Sequence, residues 1–306
     1  MRQIILSSKY RGMKQSRYRR RNKRKTRRTR RTRRRQRGGS VELSYASPTA
    51  KIVVFTSADR MEPTLEYLLK SLKRHNYGYE VLGMGKKWEG FKTKMENYLA
   101  GIEKYIGEKG GDAMAIFVDA FDVLCIKDSD KLLESYMARP RKMPIVVGTE
   151  IYCFYKDNCR MEALEWYDKY SLEGGSEAIK KTLTEPDKGL AYYEAPKSVF
   201  VNSGFIMGPA KDLQEMFTFM SQSGDKDDQV AVINYMMKHM DKIDLDIEEK
   251  LIRNKPKNKE KLPDEDGIQG PGFVHFGFHS NGFLGTLSTF LERSQKVIDE
   301  SVPKKN

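Results

Sequence analysis

Between Lys51 and Glu150 the chain alternates short apolar runs with amphipathic ones, and this alternation limits its fold more than any other feature. KIVVFTS (51–57), YEVLG (79–83), AMAIFVDAFDV (113–123) and PIVVGTE (144–150) are rich in branched and aromatic residues and bounded by polar ones, which predicts strands. Between them, Leu65, Leu69 and Leu72 recur at helical spacing behind Pro63, which suits a first helical turn. Met95, Tyr98, Ile102, Tyr105 and Ile106 form one face of a second helix, and SDKLLESYMA (129–138) predicts a third. Strands alternating with helices predict an α/β fold, with a mainly parallel central sheet flanked by helices. Ligands of such sheets bind beyond the carboxyl ends of the strands, where Thr56, Ser57, Asp119, Asp122 and Glu150 fall.

The second half is less regular. RMEALEWYDKY (160–170) reads as a helix within a polar, glycine-containing stretch that suits a lid. SVFVNSGFIMGPA (198–210) reads as two short strands around Asn202, Ser203 and Gly204. KDLQEMFTFM and DDQVAVINYMMKHM read as helices, and KIDLDI as a short strand. GFVHFGFHSNG (272–282) reads as an aromatic strand ending at His279, followed by a closing helix.

Charge divides the chain differently. Of its 56 Lys+Arg, 19 lie in residues 1–41 with no acid among them, leaving 37 basic against 42 acidic residues beyond. Almost nothing apolar lies between Tyr18 and Val41, so residues 1–45 are expected as a disordered Arg-rich tail and 46–306 as the folded domain. The tail suits non-specific nucleic-acid or polyanion contact or a localisation signal, and no aromatics are interleaved to stack on bases. No secretory leader and no apolar run of roughly 18–20 residues is visible, which argues against a transmembrane segment and suggests a cytoplasmic protein. The three cysteines, Cys125, Cys153 and Cys159, lack a framework spacing and are expected as reduced thiols; Cys153 and Cys159 could otherwise pair or bind metal.

AIFVDAFDVLC (115–125) carries the chemistry. Ionised carboxylates at the end of a buried strand are costly unless paired or bound to a metal. Positions three apart face opposite sides of a strand, so Asp119 and Asp122 can share a cation only if the chain turns at Ala120–Phe121. The plain alternative is that one caps the strand and the other is solvated. FVDAFDVL, VNSGFIMGPA, DKDDQ and FHSNG, with LGMGKKWEGF (82–91) and LDIEEKLIRN (245–254), occur together in order. In these motifs the chain resembles the glycosyltransferase domain of the procollagen lysyl hydroxylases, from about Lys51 to about Thr286.

That resemblance implies a GT-A-type, Mn²⁺-dependent (or Mg²⁺-dependent) transferase moving glucose or galactose from a UDP-sugar to a hydroxyl acceptor, such as hydroxylysine or galactosyl-hydroxylysine of a collagen-like protein. It assigns metal ligation to Asp119, Asp122 and His279. It places Thr56, Ser57, Trp88, Lys94, Asp119, Phe121, Ser203 and Gly204 around the donor, with Phe121 keeping the ring but not the hydroxyl of the family's tyrosine. Asn202, in a turn lining the sugar, and Asp227 or Asp228 are its candidate catalytic groups, since the family's glucosyl transfer is retaining and a carboxylate near the anomeric carbon suits retention. Asp227 and Asp228 would equally favour a helix N-terminus, and Lys94 a solvated surface. His275 is expected to be buried deeper and remote from the metal. Two rivals are a nucleotidyltransferase with paired aspartates and a weakly catalytic nucleotide-sugar-binding module tethered to polyanions by the tail.

Overall fold

The computed structural model describes residues 41–153, 165–170, 193–194, 198–254 and 271–275. Residues 41–45, expected as part of the tail, lie on the folded body. Val41, Leu43 and Tyr45 alternate with exposed neighbours and pack on the core, so that β1 (Ser44–Tyr45) already forms an edge strand. Next to the arginines this short alternation is easily read as tail.

β2 (Ile52–Ser57) leads into α1 (Pro63–Arg74), which has Pro63 in its first turn and Lys73 and Arg74 in its last, complementing the helix dipole. β3 (Gly78–Leu82) precedes α2 (Phe91–Lys109), which buries Met95, Tyr98 and Ile102. β4 (Met114–Val118), β5 (Val123–Cys125), α3 (Ser129–Met137) and β6 (Ile145–Glu150) follow. β7 (Tyr152–Cys153) pairs with β8 (Tyr193–Glu194). Then come β9 (Phe200–Pro209), α4 (Ala210–Gln222), α5 (Asp228–Lys238), β10 (Ile243–Leu245), β11 (Ile252–Asn254) and β12 (Phe273–His275).

The central sheet has the order β1-β3-β2-β4-β9-β6-β10. β3, β2, β4, β6 and β10 run one way, as the α/β pattern requires, while β1 and β9 run against them. Side chains alternate between two apolar layers. Phe55 and Phe117 stack at 5.0 Å on one face, where Phe117 also meets Phe217 of α4 edge-on at 4.5 Å. Val54, Ile116 and Val118 point to the other face, against the leucines of α1. Each fully buried side chain of this size contributes about 1.5–3 kcal/mol, and Phe117→Ala would remove about 3–5 kcal/mol by opening a cavity.

The expected turn at Asn202–Gly204 is instead part of β9. One strand runs through it, and the irregularity is a bulge: β6 advances one residue, Val147 to Gly148, while its β9 partner moves from Ile206 to Asn202. Against β4 the same strand pairs without a break as far as Val118–Phe205. A bulge bends one edge of a strand and re-aims its side chains without ending it, which is why the sequence reads as two pieces.

A second, three-stranded sheet, β11-β12-β5, sits beyond the carboxyl end of β4. β12 lies between antiparallel β5 and parallel β11, and its last residue, His275, is in register with Val123 and with Asn254. Cys125 is a buried free thiol whose pKa burial drives upward. Cys153 is disulfide-bonded, so the expectation of reduced thiols fails there. Among the described residues no helix is long and apolar enough to cross a membrane.

Candidate metal and donor site

The two sheets meet at Asp119 and Asp122. Asp119 follows the last residue of β4, and its N–H still donates to the carbonyl of Gly204 at 3.2 Å, extending the ladder by one bond. The chain then bends through Ala120–Asp122 before entering β5, the turn that two aspartates three apart require. Asp122 is buried, whereas Asp119 remains partly open. His275 completes the cluster: its Nε2 lies 3.2 Å from Asp122 Oδ2 and 3.8 Å from Asp119 Oδ2. One ligand atom from each of the three residues falls within 4.8 Å of the others.

This corrects the sequence reading of His275. It is buried as expected, but it is not remote, because antiparallel pairing of β12 with β5 sets it beside the residue following Asp122. The partner of a three-residue strand cannot be read from local pattern. The other expected ligand, His279, lies outside the described residues.

The far side of the His275 ring is held firmly. Its Nδ1 is 2.6 Å from Asn254 Oδ1 and 3.1 Å from Asn202 Oδ1. Asn254 is oriented by Nδ2 donating to the Thr149 carbonyl at 2.5 Å. Asn202 is oriented by Nδ2 donating to Glu150 at 3.0 Å and by Oδ1 accepting the Gly204 N–H at 2.9 Å. Burial opposes a charge on His275, but Asp122 and then Asp119 outweigh it and hold its pKa above that of an ordinary imidazole. Gly204 is obligatory in this packing: a Cβ there would stand 2.6 Å from His275 Cε1.

Lys94 reaches into the site from the first turn of α2. Its ammonium bonds Asp119 Oδ1 at 2.6 Å and also contacts Asp228 Oδ2. Burial alone would discharge the lysine, yet Asp119 and Asp228 outweigh it and raise its pKa well above the usual range. The surface-lysine alternative is excluded by this placement. Asp227 is the N-cap of α5, its Oδ1 accepting from Gln229 and Val230 N–H groups. Asp228, one residue on, is the carboxylate turned towards Lys94.

The remaining expected donor residues scatter around this centre. Thr56 and Ser57 end β2 as expected, but Thr56 Oγ1 donates to the Val118 carbonyl at 2.9 Å and Ser57 Oγ accepts from Asn97 at 2.9 Å. Both hydroxyls thus brace the strand ends. Asn97 also accepts from Lys86 and fills the space beside Gly83, pinning the loop that carries exposed Trp88. Phe121 is half-buried under the Arg60 guanidinium, 5.3 Å from its ring centre. Ser203 is half-buried within the β9 bulge.

Two sequence comparisons bear on this geometry. Residues 48–163 match the family described as PLOD GT domain. The chain is 28% identical over 219 residues to the multifunctional procollagen lysine hydroxylase and glycosyltransferase of Caenorhabditis elegans, covering 67% of this chain and 26% of that protein. The chain thus spans about a quarter of the length of the curated relative it matches. The resemblance to the glycosyltransferase domain of the procollagen lysyl hydroxylases, read from the motifs, is shown by these matches. Among solved structures, a glycosyltransferase involved in the glycosylation of the major capsid of PBCV-1 aligns with TM-score 0.43 and 11% identity, over 79% of this chain and 98% of that one.

Proposed function

We propose that the chain is a divalent-metal-dependent glycosyltransferase of GT-A type that moves a hexose, glucose or galactose, from a UDP-sugar to a hydroxyl acceptor. The observation that carries this reading is the convergence of Asp119, Asp122 and His275 within 4.8 Å at the carboxyl end of β4, with both aspartates inside the matched residues 48–163. Two carboxylates and one imidazole suit Mn²⁺, with Mg²⁺ as the harder alternative. Asp119, Asp122 and His275 would hold the ion, with His279 as a further ligand assigned by the resemblance. A cation bound there would neutralise charge that builds on the departing diphosphate.

The chain's own groups divide the rest of the task. Trp88, exposed on its pinned loop, offers a ring face to the uracil. Lys94, an ammonium beside Asp119, can meet a phosphate oxygen once one is bound. Asp227 is occupied in capping α5, so Asp228 is the better candidate for orienting the sugar or acceptor. The C. elegans relative is described as acting in procollagen lysine hydroxylation and glycosylation, so hydroxylysine or galactosyl-hydroxylysine of a collagen-like chain is the first acceptor to try. A non-catalytic sugar-nucleotide-binding module is not favoured, because simple binding has no need of three convergent ligands.

The test is UDP release from UDP-glucose and UDP-galactose by the full chain, with Mn²⁺ and with a chelator, beside Asp122→Ala. Turnover should require the metal and fall at least about 100-fold in the variant, the upper range for even an outer-shell change at a metal. Turnover that survives chelation, or a fully active variant, would overturn the reading.

A further inference from the structure

The polar groups behind His275 fix more than its position. A neutral imidazole carries one N–H and one lone pair, and the partners of one nitrogen decide what the other offers. Here the identity of each partner atom is set independently of the histidine. A backbone carbonyl only accepts, so the Asn254 atom at Thr149 O is Nδ2, and Oδ1 is the atom facing the ring. A backbone N–H only donates, so the Asn202 atom at Gly204 N is Oδ1, which also faces the ring. His275 Nδ1 therefore meets two acceptors and carries a proton, whether the ring is charged or holds a cation at Nε2. The Nε2 lone pair is left aimed at Asp119 and Asp122, an arrangement that is repulsive unless a proton or a cation lies between.

We propose that Asn254, supported by Asn202, is a positioning residue that locks His275 in the Nδ1–H tautomer and so presents Nε2 as a ligand towards a divalent cation. This rests on the metal-site reading given above. Asn254 touches neither carboxylate; it acts through His275, from a neighbouring strand in register with it. Outer-shell partners that fix a ligating histidine are worth about 10–100-fold in metal affinity. Asn202, expected from sequence as a catalytic group, takes the same role from the opposite sheet, with its amide wholly engaged by Glu150, Gly204 and His275.

The experiment uses the full chain with its histidines labelled at the ring nitrogens, four in all, and His275 assigned by loss of its signals in His275→Gln. Nitrogen shifts are recorded with Zn²⁺, a diamagnetic ion that accepts imidazole, in place of Mn²⁺, and Mn²⁺ affinity is measured by titration calorimetry. Wild type and Asn254→Asp, which keeps an acceptor, should show the Nδ1–H tautomer, and the aspartate variant should bind Mn²⁺ within a few-fold of wild type. Asn254→Leu should move His275 towards Nε2–H and weaken Mn²⁺ binding by about 10–100-fold. Wild-type His275 found as Nε2–H overturns the proposal without any variant, and so does an unchanged tautomer and affinity in Asn254→Leu. A wild type that binds no Mn²⁺ would instead overturn the metal reading, while the nitrogen shifts still decide whether Asn254 sets the tautomer.

Discussion

His275 Nε2 stands 3.2 Å from Asp122 Oδ2, and neither residue could make that approach from its own segment alone. Asp122 leaves the central sheet, His275 ends a strand of the small sheet, and β5–β12 pairing joins them. The bulge of β9 closes the arrangement from the side by placing Gly204 against the imidazole.

Gly204→Ala follows from that contact. The added methyl would lie 2.6 Å from His275 Cε1 and 2.8 Å from Nδ1, so the ring must move. Overpacking of this kind costs about 1–3 kcal/mol. The expected outcome in chemical denaturation is a moderately destabilised but folded protein, with Mn²⁺ affinity reduced more than stability alone would explain. Unchanged Mn²⁺ affinity would show that His275 need not hold this position.

Lys94→Met removes the cation shared by Asp119 and Asp228. Breaking a buried pair costs about 3–5 kcal/mol, and roughly 2 kcal/mol is expected here because both carboxylates keep some access to water. The uncompensated carboxylates should then depend more on added Mn²⁺, which would raise the melting temperature of the variant more than that of wild type. Equal metal-induced shifts in the two proteins would count against Lys94 as the resident counter-charge.

Asp246 gives a pH signature away from the ligands. Burial raises its carboxyl to about 6, against three backbone N–H groups from Lys250, Leu251 and Ile252 that lower it. A folded pKa above the unfolded one favours the native state fully below the unfolded value of about 3.9, and that stabilisation fades as pH rises through about 6. Wild type should therefore lose on the order of 3 kcal/mol relative to Asp246→Asn between about pH 4 and 6, with a flat difference above. The slope of that difference, from urea melts, is the measurement; a flat difference throughout would show that the backbone donors win.

Much of this architecture is legible in sequence because it is local. Periodicity locates β2, α1, β3, α2 and β4, and the cost of burying carboxylates draws attention to Asp119 and Asp122, whose metal role is read only with the resemblance of the surrounding motifs. What is not legible depends on pairing between distant segments. His275 reads as a deep strand residue because nothing near it shows that β12 lies against β5. Asn202 and Gly204 read as a turn because a bulge and a turn share the same small polar residues. Lys94 is visible as a helix residue, but its burial between two acids is not.

Thiol counting checks the cysteine correction. The native chain should react slowly with an alkylating reagent, since Cys125 is buried with its thiol pKa pushed up. Unfolded without reductant it should show one free thiol, and after reduction three, the number of cysteines in the chain. Three thiols without reduction would return Cys153 to the reduced state first read from its sequence.

The central claim is tested most directly by crystals grown with Mn²⁺ and UDP, with diffraction recorded at the manganese edge. The expected result is one anomalous peak between Asp119, Asp122 and His275, with His275 Nε2 and both carboxylates at roughly 2.0–2.3 Å, the range for such ligands. A peak elsewhere, or an occupied site from which His275 has turned away, would contradict it.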